Sequence, residues 1–367
     1  MKTFFLSLSK HPRGAVLLLV LGAVAILSIL AFELAHRANL DVARSARATR
    51  EASFRRGFDS SMEVAKALIL EGRKSDGFDT ASDPWSRKIE TKLSLNERLV
   101  VQVADESGKI NILKAIGADD TSAKTRKSLA RLFAFLRKAE PAREKQWEDI
   151  EVAVRKRLGI EAPTQTAKQA TPASTAVNDP GLITLDGLRE AGVPLEFVFG
   201  ATQTNDAQTR WALCDVLTTF GDGRINLNTA LAPVLYALDE EYDDALVGKI
   251  EAWRGKSQDD GAGGKPFKSV RDLELIDGVV QKQTVNGQVQ VVKNLFTKVQ
   301  DQVSVQSRCF SARILVDIEG RQRLGWGFFE VTMLNTSNAA NPANTSITTY
   351  APGAMTLNVM AFEEIEP

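Results

Sequence analysis

"HPRGAVLLLVLGAVAILSILAFELAHR", residues 11–37, decides how the rest of the chain is read. Residues 15–32 carry no charge. At about 1.5 Å per residue, a helix over that run nearly spans a hydrocarbon core of about 30 Å. Lys2, Lys10 and Arg13 precede it and no acidic residue does. That bias keeps the N-terminus cytoplasmic and exports the bulk of the chain in a single pass. Arg37, Arg44 and Arg47 follow, interleaved with Asp41 and Glu51, and weaken the asymmetry. A secretory signal has a shorter apolar core and a small-residue cleavage site after it. Here the candidate cut lies ahead of the run, between Gly14 and Ala15.

Working outward, the helix does not stop at the membrane. Phe54, Phe58, Met62, Ala65 and Ile69 recur at three- and four-residue steps, one apolar stripe on a helix. No proline occurs from residue 15 to residue 72. A continuous helix of that length reaches about 85 Å, with Gly57 as a candidate bend. The stripe is expected to pack on a globular head.

The remaining composition excludes much chemistry. The chain has 367 residues, room for about two or three domains. Its 46 basic and 46 acidic residues cancel, so the balance gives no sign of a nucleic-acid or membrane-surface partner. The two histidines, His11 and His36, both flank the apolar run. A head without histidine has no Ser/His or Cys/His nucleophile and no histidine-ligated zinc. Cys214 and Cys309 are too far apart in sequence for a zinc or redox motif. They read either as two buried thiols or as a disulfide formed after export.

After a polar turn around Pro84, Leu99, Val101 and Val103 alternate as a strand, and "DESGKIN" (105–111) is a turn. "SAKTRKSLARLFAFLRKAE" (122–140) is a helix. Residues 162–181 are small, polar and proline-containing, and read as a disordered loop. "TLDGLREAG" (184–192) is a short helix with Thr184 or Asp186 near its cap. "GRINL" (223–227) repeats the Gly, basic, Ile, Asn, apolar order of Gly108 to Ile112, and helices follow over 229–238 and 243–254. "FKSVRDLELIDG" (267–278) reads as a further helix, with Ser269 and Asp272 spaced as a capping box. The C-terminal part is β, with a turn at Glu319 and Gly320. Residues 335–353 are rich in Asn, Thr and Ala and read as a mobile tail or long loop.

The short basic leader ending in Gly14 resembles a type IV prepilin leader; from these residues alone, a plain bitopic anchor reads similarly. Taken with "DPW", "DESGKIN", "TLDGLREAG", "GDGRINLNTA", "VLYAL" and "VSVQSRCF", the order of pieces resembles the minor pseudopilins of the K type, the general secretion pathway protein K family of type II secretion systems. The resemblance runs from about residue 13 to residue 331. That family lacks the glutamate other pilins carry five residues after the cut, and the position here is Leu19. The family's acidic segment after its first helical stretch is not clear in "WEDIEVAVRKRLG" (147–159).

The resemblance implies an α+β fold: a transmembrane and spine helix, a pilin-like α/β head with an antiparallel sheet, and a large helical insertion. The expected divisions are a leader (1–14), the spine (15–75) and the first part of the head (76–112). A mainly helical insertion with a strand-turn near 212–228 follows (113–295), then C-terminal strands (296–334) and a tail (335–367). It further implies a non-catalytic subunit in the inner membrane with a periplasmic head, cut by a prepilin peptidase and methylated at its new terminus. Such a subunit caps the pseudopilus tip and helps start its assembly. The implied partners are the I- and J-type minor pseudopilins, the major pseudopilin and the inner-membrane assembly platform.

Other readings compete. A minor type IV pilin would share the leader and spine. "GRINLNTALAPVLYAL…AWR" also looks like a helix-hairpin-helix DNA-binding module, but its turn carries Asp239, Glu240, Glu241, Asp243 and Asp244 and no glycine. Such a turn repels a phosphate instead of cradling it. The same five acids are candidate calcium ligands, without the regular spacing of a calcium loop. No nucleophile–base pair and no phosphate loop is present, so an enzyme is not expected.

The leader carries three of the 46 basic residues and no acidic one, so cleavage takes the net charge from 0 to −3. Mass spectrometry of the chain from a host with a prepilin peptidase is expected to find a mature terminus at Ala15. Gly14→Arg should block the cut. An intact Met1 in both proteins would leave a plain anchor.

Overall fold

The structure, a computed structural model, describes residues 12–73, 77–94, 96–160, 184–200, 211–255, 265–285, 288–333 and 355–365. The leader up to residue 11, the loop read at 162–181 and most of the tail read at 335–353 lie outside them.

One helix, α1 (Pro12–Gly72, 61 residues), runs from the N-terminal region into the head. At its outer end Phe54, Phe58, Met62, Ala65 and Ile69 are buried. They pack on one face of an antiparallel five-stranded sheet of order β1 (Ile89–Ser94), β2 (Glu97–Asp105), β9, β10, β11. The last three are β9 (Cys309–Ile318), β10 (Arg321–Met333) and β11 (Met355–Ile365). Leu99, Val101 and Val103 of β2 and Phe310, Ala312, Ile314 and Val316 of β9 supply that face. Their two-residue period aims them all at the helix. The β9–β10 turn is the two-residue loop read at Glu319 and Gly320, with φ of 54° and 76°. Positive φ at both positions matches the twist of a hairpin.

Glycine lets the helix lie close to the sheet. A Cβ on Gly325 of β10 would fall 2.6 Å from the Phe58 ring and 2.8 Å from Phe362, and one on Gly327 would strike Met62. Gly57, expected as a bend, has a contact role: it lies within a continuous helix, where a Cβ would be 2.9 Å from Val316.

The insertion follows β3 (Ile110–Asn111). It contains α2 (Asp120–Ala139), α3 (Glu144–Arg157) and the short helices α4 (Gly187–Glu190), α5 (Leu195–Phe199) and α6 (Leu213–Val216). Next come β4 (Leu217–Thr218), β5 (Ile225–Asn226), α7 (Ala232–Leu238) and α8 (Asp244–Trp253). Helix α2 starts at Asp119, whose carboxylate accepts from the Ser122 amide, and buries Leu129, Leu132, Phe133 and Leu136. These share one core with Trp147 and Ile150 of α3, Val234 and Leu235 of α7, and Val247 and Ile250 of α8. That core extends to Trp326 and Phe328 of β10. Phe328 stacks on Phe220 at 4.2 Å between ring centroids. The sheet therefore separates two cores, the spine on one face and the insertion on the other.

Three expectations need correction. The tail read at 335–367 ends in β11, an edge strand on β10 whose Leu357 and Phe362 adjoin the spine core. The Asn-rich segment before it had set the reading of the whole C-terminus. The insertion is not helical at 280–294, where β6 (Val280–Val285) and β7 (Gln288–Asn294) form an antiparallel hairpin. Asn286-Gly287 between them, flanked by alternating apolar residues, is a strong hairpin signal in the sequence. The helix read at 267–278 is a single 3-10 stretch, Val270–Leu275. Its capping signal is present: the Asp272 carboxylate accepts from the Ser269 amide at 3.0 Å. The C-terminal region opens with α9 (Phe296–Val299) before β8 (Val303–Ser304).

Phe58→Ala in a fragment of residues 38–367 is expected to cost about 3–5 kcal/mol of stability. Gly325→Ala should also destabilise, by about 1–3 kcal/mol, by pushing into the Phe58 ring. The double variant should be less unstable than the sum. Additive denaturation midpoints would show that the stripe does not bear on the sheet there.

Candidate functional site

The apolar N-terminal half of α1 stands free of the head. Leu19 is 74 % exposed, and the large apolar residues from Val16 to Leu34 are exposed on every side of the helix. The helix is long and apolar enough to cross a membrane. Gly14 and Ala15 lie in its first turns, with Leu19 just beyond. The first acidic residue of α1 is Glu33. Among the described residues, none of the head covers this surface, so it needs lipid or other helices.

A buried polar joint fixes the head to the spine. Arg73, just past α1, forks onto Asp79 with Nε–Oδ1 of 3.0 Å and Nη2–Oδ2 of 2.9 Å. The other side of Asp79 Oδ2 accepts from the Ser307 amide at 2.7 Å. Asn226 donates through Nδ2 to Ser307 Oγ at 2.7 Å, to the Asp79 carbonyl at 3.1 Å and to Asp105 Oδ2 at 3.2 Å. Asp105 also accepts from the hydroxyls of Ser307 and Thr229, both at 2.5 Å, and from the Ser107 amide at 2.7 Å. Burial pushes the Asp105 carboxyl up to about 6, and the nearby Asp79 adds to the rise against these hydrogen bonds.

The joint explains the repeated sequence order. Asn111 ends β3, which pairs in parallel with β4, and its amide donates to the carbonyls of Phe220 and Gly221. Asn226 ends β5, which pairs in parallel with β8. Each copy carries an asparagine that ties a distant backbone to a two-stranded splice. The sequence marked both asparagines but not Asp79 and Ser307, the partners of Asn226, which lie far from it along the chain. A displaced carboxyl pKa often marks a reactive site. Here every polar member is hydrogen-bonded within the fold and all but the half-buried Thr229 are buried, an arrangement that fixes geometry.

The five acids of the α7–α8 turn, the candidate calcium ligands, are spread over separate contacts in the structure. Glu241 is taken by Lys293 at 2.6 Å and Lys298 at 2.5 Å, which lower its pKa. Asp243 caps α8 through the Leu246 amide at 2.9 Å, and Asp244 accepts from the Tyr236 hydroxyl. Asp239 accepts from the Glu241 amide, and Glu240 is exposed. Among the described residues, no group of three or more His, Cys, Asp or Glu side chains is placed to hold a metal. The same splayed acids line the hairpin turn where a DNA phosphate would approach.

Cys214 and Cys309 are both free and buried. Burial pushes each thiol up to about 12, which keeps it protonated and inert. The reading as two buried thiols holds over the disulfide.

Helix, sheet and insertion together define an α+β, pilin-like fold. No protein-family model and no curated protein sequence matches the chain. Among solved structures, it is similar to a chain of the crystal structure of the GspK-GspI-GspJ complex from the enterotoxigenic Escherichia coli type 2 secretion system. The likeness covers 88 % of this chain and 100 % of that one, with a TM-score of 0.50 and 14 % identity. At that identity it speaks to the fold.

The sign of the Asp105 effect is testable. Its folded value of about 6 lies above the ordinary 3.8, so the native state binds the extra proton between them. The cost of the buried charge is full above about pH 6 and fades as pH falls toward about 4. Burial raises Asp83 in the same direction. The melting temperature of the 38–367 fragment is therefore expected to be higher at about pH 5.5 than at about pH 7.5. Asp105→Asn should flatten that rise. A wild-type melting temperature that falls over this range would contradict the assignment.

Proposed function

We propose that the chain is the K-type minor pseudopilin of a type II secretion system, a non-catalytic subunit at the tip of the pseudopilus. In this reading a prepilin peptidase cuts between Gly14 and Ala15. The spine helix sits in the inner membrane with its N-terminus cytoplasmic and its head periplasmic. The I- and J-type minor pseudopilins assemble beside it and the fibre starts from that group. The crystal structure with a similar fold is of a complex named for its GspK, GspI and GspJ subunits, which fits such partners.

The observation that carries the tip position is Leu19, in a helix with no acid before Glu33. An ordinary pilin places a glutamate there, which pairs with the α-amino group of an adjacent subunit. Without that partner an intramembrane acid costs about 2.5–3.5 kcal/mol on insertion scales. A subunit with no neighbour above it is offered no such amine, and an apolar side chain is then favoured at that position.

Leu19→Glu is expected to be cleaved normally yet to impair insertion or initiation, and Leu19→Ile to be silent. Secretion and pseudopilus assembly in strains carrying each variant provide the readout. If the Leu19→Glu subunit assembled normally and appeared along the shaft, the tip reading would fail.

A further inference from the structure

Where α1 enters the head, it forms one wall of a groove of about 400 Å³ lined by Arg47, Arg50, Glu51, Phe54, Arg321 and Arg323. Four arginines face one carboxylate. Arg323 forks onto Glu51 at 2.8 and 2.7 Å and lies over the Phe54 ring at 4.4 Å, so both are held in place. Arg50 reaches Glu319 only at 3.9 Å. Arg47 and Arg321 are exposed and have no ion-pair partner among the described residues. Two positive charges are thus left over beside a rigid, partly apolar floor.

The position of the groove selects its partner. Arg47 lies fifteen residues beyond Phe32, the end of the uncharged run, or about 22 Å along the helix. Lipid headgroups extend only about 5–8 Å past the hydrocarbon core. The groove therefore stands clear of the bilayer. Arg47, Arg50, Glu51 and Phe54 follow one face of α1 at helical spacing, so a second helix lying alongside would meet them at successive turns. A second copy of this chain in the same register would bring the same arginines and repel. We infer that this groove docks the carboxylate-bearing face of a spine helix from a different subunit, with Arg47 and Arg321 as the charges that select it. The inference rests on the proposal that other spine helices assemble beside α1.

The test uses the full chain in membranes, co-expressed with the I- and J-type and major pseudopilins. Gln322, exposed on the groove, is replaced by the photo-crosslinker benzoylphenylalanine. Irradiation is expected to yield an adduct with one of those subunits, mapped by mass spectrometry to a helical segment with two or more Asp or Glu three or four residues apart. Arg47→Glu combined with Arg321→Glu should cut the yield about tenfold. The head should stay folded with its melting temperature moved only slightly, because neither arginine makes an ion pair within it and Arg47 acts on Glu51 only at longer range. An adduct with lipid or with a second copy, no adduct, or one indifferent to charge reversal would overturn the inference. So would an adduct to a pseudopilin segment without acids, although the tip reading would then stand. A charge-sensitive adduct to an acidic helix outside the pseudopilins would keep the groove and remove the pseudopilin reading.

Discussion

The packing of one helical stripe on a sheet thinned by glycine organises the molecule. Phe58 and Met62 occupy space that a Cβ at Gly325 or Gly327 would fill. The helix thus makes direct contact with the strands, and five of its residues share one core with β2, β9 and β10. Because β9 and β10 are close to the end of the chain while β2 precedes the insertion, this contact closes the sheet around a long excursion. The sheet gains a second apolar face at Trp326 and Phe328 of β10, and the insertion covers it through Phe199 and Phe220.

A second constraint keeps the excursion in register. The Asp79, Asp105, Asn226 and Ser307 cluster joins the segment after α1, the end of β2, the insertion and the approach to β9. A half-satisfied network of this kind destabilises a core, and a satisfied one fixes a single arrangement. Here the Arg73 guanidinium balances Asp79, while Asp105 relies on neutral donors and carries the displaced pKa. The joint that specifies the head therefore also carries a carboxyl that titrates near neutral pH.

The chain spends its charges differently along its length. The apolar half of α1 has none for eighteen residues, and the arginines then crowd where the helix meets the head. In the insertion, acids of one turn are spread over two lysines, a tyrosine and a helix cap. A cluster on paper became separate structural contacts because neighbouring side chains in a turn point to different surroundings.

The sequence alone determined the spine. Period and the absence of proline dictated a helix, and the lack of charge dictated its exposed apolar half. The alternation in β2, the turn at Glu319 and Gly320, and helices α2, α7 and α8 were legible for the same reason: their signals are local. Leu19 was also readable, since a missing acid needs no neighbour to be seen. The tertiary structure decided what depends on contacts across the chain. It placed residues 355–365 as an edge strand, turned Gly57 from a bend into a contact, and left the thiols unpaired. It also assembled Asp105, Asn226 and Ser307, up to 202 positions apart, into one joint. The basic groove belongs to the same class, because Arg47 and Arg321 become neighbours only when the last hairpin folds against the first helix.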